Sequence, residues 1–415
     1  MACSQRINDL LKNIVINKRR LIIMKQNKNN GRMTIICILC LFINSCSINN
    51  SVLIPKTKTT INTEIVLSAL EPLPEVWNNT LPSFEPEDFA FLRHAFQEQT
   101  IYIIVFLKDT YKIKKKLFFD LEILDPENNN YYQSVGISAY QHAKDHGWLI
   151  SNKTLSVAIS SKSFAGMYRF KLTVYTKDFD VYTSKEKQLK ILPYERNNSF
   201  YDDTDLSKWY YNYFKDPQVD YAVSAFLYIL EKFKPLPPNK ILKPLSFFKS
   251  IFENNKFLLP HLAKIYPMAS SWQKYYILIM LNILDYQDRE FYQNLSDIDK
   301  QLLTKSIDFP YWEINPYVKI EQPIQLDMLW HEYFASGSIK PIKLIIESTN
   351  SYDKSIKEQY KDHSLMIISP AIWSLEGRIK TDPLVMRYSN YLNKYGNLQQ
   401  GAKKELELIL KGILK

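Results

Sequence analysis

Between about Ile61 and Leu192 apolar residues recur at every second position. In Met167-Tyr168-Arg169-Phe170-Lys171-Leu172-Thr173-Val174-Tyr175, the side chains of Tyr168, Phe170, Leu172 and Val174 share one face and mostly polar residues take the other. That alternation predicts a half-buried antiparallel strand, with Gly166 supplying the turn before it. Similar runs lie at Thr100 to Leu107, Leu117 to Leu124, Leu155 to Ser160 and Val181 to Leu192, separated by turn-rich stretches such as Asp125-Pro126-Glu127-Asn128-Asn129-Asn130. Short strands with no helix-period segment between them predict a β-sandwich of the immunoglobulin or fibronectin type. Glu71 to Pro86, which carries Pro72, Pro74, Pro82 and Pro86, reads as a crossing loop because proline cannot donate to a ladder.

Past Arg196-Asn197-Asn198-Ser199 the period becomes helical and stays so. Asp205 reads as an N-cap before a helix from Leu206 to Phe214, and Asp216-Pro217 opens a second helix that runs to Phe233 and is stopped by Pro235, Pro237 and Pro238. Further helices are expected at Leu245 to Glu253, Trp272 to Tyr286, Arg289 to Ser306, Gln325 to Ala335, Ile339 to Glu347, Lys354 to Asp362, Leu384 to Lys394 and Gln399 to Leu414. Leu326 to Ile346 reads as one αα-hairpin: a stop at Ser336-Gly337, then a restart at Ser338 with Pro341 in the first turn. No fixed repeat period is present. The expected fold is α+β and multidomain, with an immunoglobulin- or fibronectin-like β-sandwich over residues 61–195 followed by an all-α helical-hairpin domain over 200–415.

The net charge of +10 would point to a polyanion if it were spread over the chain. It is not: residues 1–45 hold eight basic side chains against Asp9, which accounts for +7 and leaves +3 for everything after Ser45. No nucleic-acid partner is expected of so nearly neutral a body. Cysteines divide the same way, with Cys3, Cys37, Cys40 and Cys46 all in the first 46 residues, so no disulfide framework can brace the rest.

Thr34 to Ile43 is a run of ten uncharged, mostly apolar residues, preceded by Lys25, Lys28 and Arg32 and followed by small polar residues. A positive start, a short apolar middle and a small-residue exit describe a signal peptide, and ten residues reach only about half of the ~30 Å hydrocarbon core. Ile43-Asn44-Ser45-Cys46 then resembles the lipobox of bacterial lipoprotein precursors: an aliphatic residue, a variable one, a small one and cysteine. The resemblance covers residues 24–46. It implies that the Cys46 thiol receives a diacylglyceryl group, that the chain is cut before it, and that membrane lipid becomes its first partner. Two or three acyl chains hold a soluble domain where one would leak off, since each buried methylene contributes ~0.8 kcal/mol. Residues 1–45 are thus read as a signal peptide with an overextended start, the true start being Met1, Met24 or Met33, and 46–60 as a lipidated tether. Ser47 favours the outer over the inner membrane of a bacterial cell envelope under the enteric rule. Leu326 to Trp330, Phe334 to Gly337 and Trp373-Ser374-Leu375 are also similar to segments of helical bacterial proteins of unassigned activity, which implies a helical fold and nothing of function.

No nucleophile elbow, glycine-rich phosphate loop or cysteine nucleophile follows Cys46. His142 and His146 stand four apart beside Asp145 but lack the glutamate of a zinc helix, His331-Glu332 lacks a second histidine, and Asp202-Asp203-Thr204-Asp205 lacks the glycine and distal glutamate of a calcium loop. We expect no metal, no cofactor and no catalytic residue, the aspartates serving a helix cap. The basic run Lys112-Ile113-Lys114-Lys115-Lys116 suits a charged edge strand or contact with anionic lipid. Trp209-Tyr210-Tyr211-Asn212-Tyr213-Phe214 could stack on sugars or peptides, although Leu206, Trp209, Tyr210 and Tyr213 fall at core-packing spacing. The function expected is a non-enzymatic binding or scaffolding lipoprotein with a protein or glycan partner. The alternative is an envelope hydrolase acting on peptidoglycan or carbohydrate through two of Glu313, Glu321, Asp327 and Glu332, which would have to stand ~5–9 Å apart.

Overall fold

A computed structural model describes residues 61–413 except 80–84, 90, 109, 111–112, 114, 139–146, 180, 195–201, 233, 235–237, 310–314 and 353–362. Strands fill the first part of this span and helices the second, so the chain is α+β overall. The strands are β1 (Asn62–Ser68), β2 (His94–Phe96), β3 (Thr100–Lys108), β4 (Leu117–Leu124), β5 (Asn130–Ser138), β6 (Trp148–Ile150), β7 (Leu155–Ala158), β8 (Gly166–Thr176) and β9 (Tyr182–Leu192). One sheet runs β1-β3-β6, with β7 also pairing to β3, and a second runs β2-β9-β8-β4-β5. Every pairing is antiparallel except β2 with β9.

The alternation in β8 is realised as expected, with Tyr168, Phe170, Leu172 and Val174 fully buried. They meet Ile65 and Leu67 of β1 and Ile101, Ile103, Val105 and Leu107 of β3 in one apolar cluster between the sheets. β3 is buried on both faces. Its other side chains, Ile104 and Phe106, join Val66 and Ile150 in the cluster that holds the helices, so the first sheet sits with one face on the second sheet and one face on the helical half. The Asp125 turn joins β4 to β5: its carboxylate accepts from the amides of Glu127 and Asn129 at 2.9 and 2.8 Å, and Asn128 takes the left-handed conformation that asparagine tolerates. Gly166 opens β8 itself at φ +149°, where an added Cβ would stand 2.7 Å from Pro126.

The helices are α1 (Pro74–Asn79), α2 (Asp203–Asn212), α3 (Ala222–Lys232), α4 (Pro238–Asn254), α5 (Leu259–Ile265), α6 (Ser271–Ile283), α7 (Arg289–Gln293), α8 (Asp297–Ile307), α9 (Pro323–Ser336), α10 (Ile339–Glu347), α11 (His363–Thr381), α12 (Pro383–Tyr395) and α13 (Gln400–Ile413). Several boundaries differ from the sequence reading. The cap of α2 is Asp202, not Asp205: its carboxylate accepts from the amides of Thr204 and Asp205 at 2.8 and 2.9 Å, satisfying two donors that the first turn leaves open. The proline-rich stretch after β1 holds the short helix α1 as well as loop, because Pro74 opens a helix as readily as it breaks a strand. The single helix expected from Arg289 to Ser306 is two, because Ser296 caps a second start by accepting from the amide of Asp299 at 3.1 Å. The restart after α9 is as expected: Gly337 is left-handed at φ 61° and Ser338 caps α10. The helix expected at Lys354 to Asp362 lies outside the described residues.

Candidate functional site

The lipobox residues Ile43, Asn44, Ser45 and Cys46 lie outside the described residues, as do His142, Asp145, His146, Lys112, Lys114 and Glu313. Of the basic run, Lys115 is ion-paired with Asp178 and Lys116 stands over the Phe118 ring. The remaining suspected carboxylates are each engaged separately. Glu321 pairs with Lys319 at 2.5 Å, Asp327 pairs with Lys243 at 2.5 Å, and Glu332 accepts from the Tyr317 hydroxyl at 2.6 Å. Burial raises the Glu332 carboxyl above the usual range. Asp327 and Glu332 share α9, but five residues at 3.6 per turn put them about 140° apart around its axis. They therefore occupy different flanks of the helix. Among the described residues no group of histidine, cysteine, aspartate and glutamate could hold a metal ion.

Recessed surfaces among the described residues include a smaller one of about 230 Å³ beside Arg93 and Asp216 and the two that follow. The larger, of about 630 Å³, lies along the seam where the first sheet meets the helices. Trp77 of α1, Tyr102 of β3, Phe214, the Ser336-Gly337-Ser338 turn and the start of α12 contribute to its walls. Arg387 is 5% exposed and lies face-on over Trp77, its guanidinium carbon 4.1 Å from the ring centroid. Burial lowers its pKa while the nearby Asp88 carboxylate opposes that. Asp382 caps α12 through the Leu384 amide at 3.0 Å and also accepts from the buried Tyr333 hydroxyl at 3.0 Å. Tyr388 donates to the Gly337 carbonyl at 2.7 Å. These bonds tie the turn between α9 and α10 to α12, so this wall of the cleft is fixed by hydrogen bonds between helices.

Gly337 is required twice over at that wall. Its φ is left-handed, and an added Cβ would stand 3.1 Å from Phe214 and 3.3 Å from Leu70, two residues past the end of β1. Gly337→Ala should therefore cost about 1–2 kcal/mol from backbone conformation alone. A lowered urea midpoint with an unchanged denaturant slope is the expected measurement.

The second surface is a shallower pocket of about 560 Å³ between α9 and α11. Both helices present a face at helical spacing: Asp327, Trp330, His331 and Phe334 from α9, and Trp373, Glu376, Gly377 and Lys380 from α11. The Trp330 indole donates to the Ser374 hydroxyl at 3.1 Å and holds the two together. Arg378 lies over the Phe334 ring, 4.5 Å from its centroid, and Tyr211 meets the same ring edge-on at 5.5 Å. His331 sits at the base with Nδ1 2.7 Å from the Tyr210 hydroxyl. Burial, reinforced by Lys243 and Arg378, pushes its pKa down to about 3, so the imidazole is neutral across the physiological range.

Leu206, Trp209, Tyr210 and Tyr213 are buried in the core, as their spacing indicated, and Phe214 is buried with them. Tyr211 is the exception, 50% exposed at the pocket rim. Arg378, Glu376 and Lys380 carried no sequence signal as a site, because charges on a helix flank are the ordinary solvated pattern. No protein-family model matches the chain, and no curated protein matches it either.

Proposed function

We propose that the protein is a cell-envelope lipoprotein, held on a bacterial membrane by lipid on Cys46, which binds or scaffolds another macromolecule without turning it over. In this reading the sheets form an immunoglobulin- or fibronectin-like β-sandwich, the helices form a helical-hairpin domain, and a protein or glycan partner docks against them at the outer rather than the inner membrane. The observation that carries the binding reading is the seam cleft, whose wall residues Arg387, Asp382 and Tyr388 are fixed by packing and by hydrogen bonds to the protein itself. Fixed, mixed-charge walls of that kind suit recognition, whereas hydrolysis by paired carboxylates needs two acids facing across one gap. The anchoring reading rests on residues 24–46 of the sequence. Among the described residues no helix is long and apolar enough to cross a membrane.

Cys46→Ala separates the parts of this reading. The wild-type protein should sediment with membranes and the variant should move to the soluble fraction while keeping its circular dichroism spectrum. A variant that pellets as tightly as wild type would remove the lipid anchor from the account. Site-specific photocrosslinking from position 215 in intact cells tests the cleft: one discrete adduct is expected, and it should vanish when Ser338→Trp fills the wall beside it. Adducts that persist in that variant would place the partner elsewhere.

A further inference from the structure

The pocket between α9 and α11 is distinct from the seam cleft and carries its own ligand logic. Trp373 is 78% exposed. Leaving so large an apolar face in water forgoes the stabilisation that burial would bring. A single exposed aromatic side chain needs no explanation, but this one shares a pocket with a second exposed ring, Tyr211. The charges that line the pocket cancel, two acids against two bases. Asp327 and Glu376 face Arg378 and Lys380, and the acids are already held at 2.5 Å by Lys243 and Lys380 respectively. A polyanion would meet two carboxylates there and a cationic peptide would meet two bases. A neutral ligand rich in hydroxyls meets no like charge, and the carboxylates and guanidinium offer it planar acceptors and donors.

Gly377 supplies an independent observation. It lies one turn beyond Trp373, towards the C-terminal end of α11, lines the same pocket, and an added Cβ would meet nothing within 4 Å. Glycine there weakens the helix by roughly 0.5–1 kcal/mol relative to alanine, and packing does not demand it. What its bare backbone provides is an open floor beside the Trp373 ring.

We propose that this pocket binds a neutral glycan strand, with Trp373 and Tyr211 stacking on pyranose faces and Asp327, Glu376 and Arg378 bonding to the ring hydroxyls. Pyranose rings present flat C–H faces that match an aromatic plane, and their hydroxyls lie at the edge, where the polar side chains stand. The site is on a different surface from the seam cleft and does not depend on the lipid anchor.

The test is isothermal titration calorimetry of the purified full chain with three neutral probes: chitotetraose, cellotetraose and maltotetraose. Saturable binding of at least one is expected. Trp373→Ala should weaken it about tenfold, the worth of one good aromatic contact, while Trp373→Phe should restore most of it. Gly377→Leu should abolish binding by covering the floor, yet leave thermal stability equal to or above wild type, because leucine is a better helix former than glycine. Loss of binding in that variant cannot be assigned to misfolding. No saturable heat with any of the three probes overturns the proposal, as does binding that survives both Trp373→Ala and Gly377→Leu, or binding of a neutral peptide at this pocket in place of the sugars.

Discussion

Phe106→Ala is expected to lower the free energy of unfolding by about 3–5 kcal/mol, the usual cost of deleting a buried phenyl ring together with the cavity left behind. Phe106 is wholly buried in the middle of β3, flanked in register by Glu64 on β1 and Ile150 on β6. Its ring packs edge-on against Phe89 at 5.4 Å and Trp148 at 6.3 Å. Because it points to the helical side of the sheet, its loss removes contacts from the core that sheet and helices share. Far-ultraviolet circular dichroism, dominated by the helices, should therefore shift in urea midpoint together with tryptophan fluorescence. If the helical signal keeps its wild-type midpoint, the helices draw no stability from the sheet face. The comparison residue is Phe170, equally buried but directed between the two sheets.

The contrast between those two phenylalanines marks how far the sequence could be read. Phe170 lies in a strand with one wet face, so its period-two pattern shows in the sequence. Phe106 lies in a strand buried on both sides, Ile103-Ile104-Val105-Phe106-Leu107, where every residue is apolar and no pattern distinguishes the face toward the second sheet from the face toward the helices. β5 was invisible for the opposite reason: Asn130 to Ser138 is a largely exposed edge strand and carries few buried side chains to mark it. α11 escaped because Pro370 interrupts it, and proline inside a helix reads as a stop. Caps were legible in kind but not in position, since three aspartates in Asp202-Asp203-Thr204-Asp205 can each cap and only geometry selects Asp202.

The pocket was legible in fragments. The aromatic run containing Tyr211 and the segment containing Trp373 stand out in the sequence, yet 162 residues of chain separate those two rings. Nothing in either segment indicates that α9 lies between them and brings Phe334 against Tyr211 and Trp330 against Ser374. His331 could be read as a histidine on a helix face. That its ring is neutral, and why, depends on Tyr210, Lys243 and Arg378, which come from three other helices.

That neutrality makes the fold sensitive to mild acid. An unfolded histidine takes up a proton near pH 6.5, whereas the folded His331 ring resists protonation down to about 3. Between those values the unfolded state binds more protons than the folded one, so stability rises with pH across the window and is complete only above about 6.5. Moving from pH 7 to 5 should cost up to about 2 kcal/mol through this residue alone. His331→Gln loses the bond to Tyr210 and starts less stable, so the informative quantity is the slope of unfolding free energy against pH, which should flatten in the variant. Glu332 acts in the opposite sense: burial raises its carboxyl, the folded state then holds its proton more tightly, and Glu332→Gln should steepen the acid loss. Urea titrations at pH 7, 6 and 5 of wild type and both variants give the three slopes. Equal slopes in wild type and His331→Gln would show that the imidazole titrates in the folded protein as it does in water, and that the Tyr210 bond does not exclude its proton.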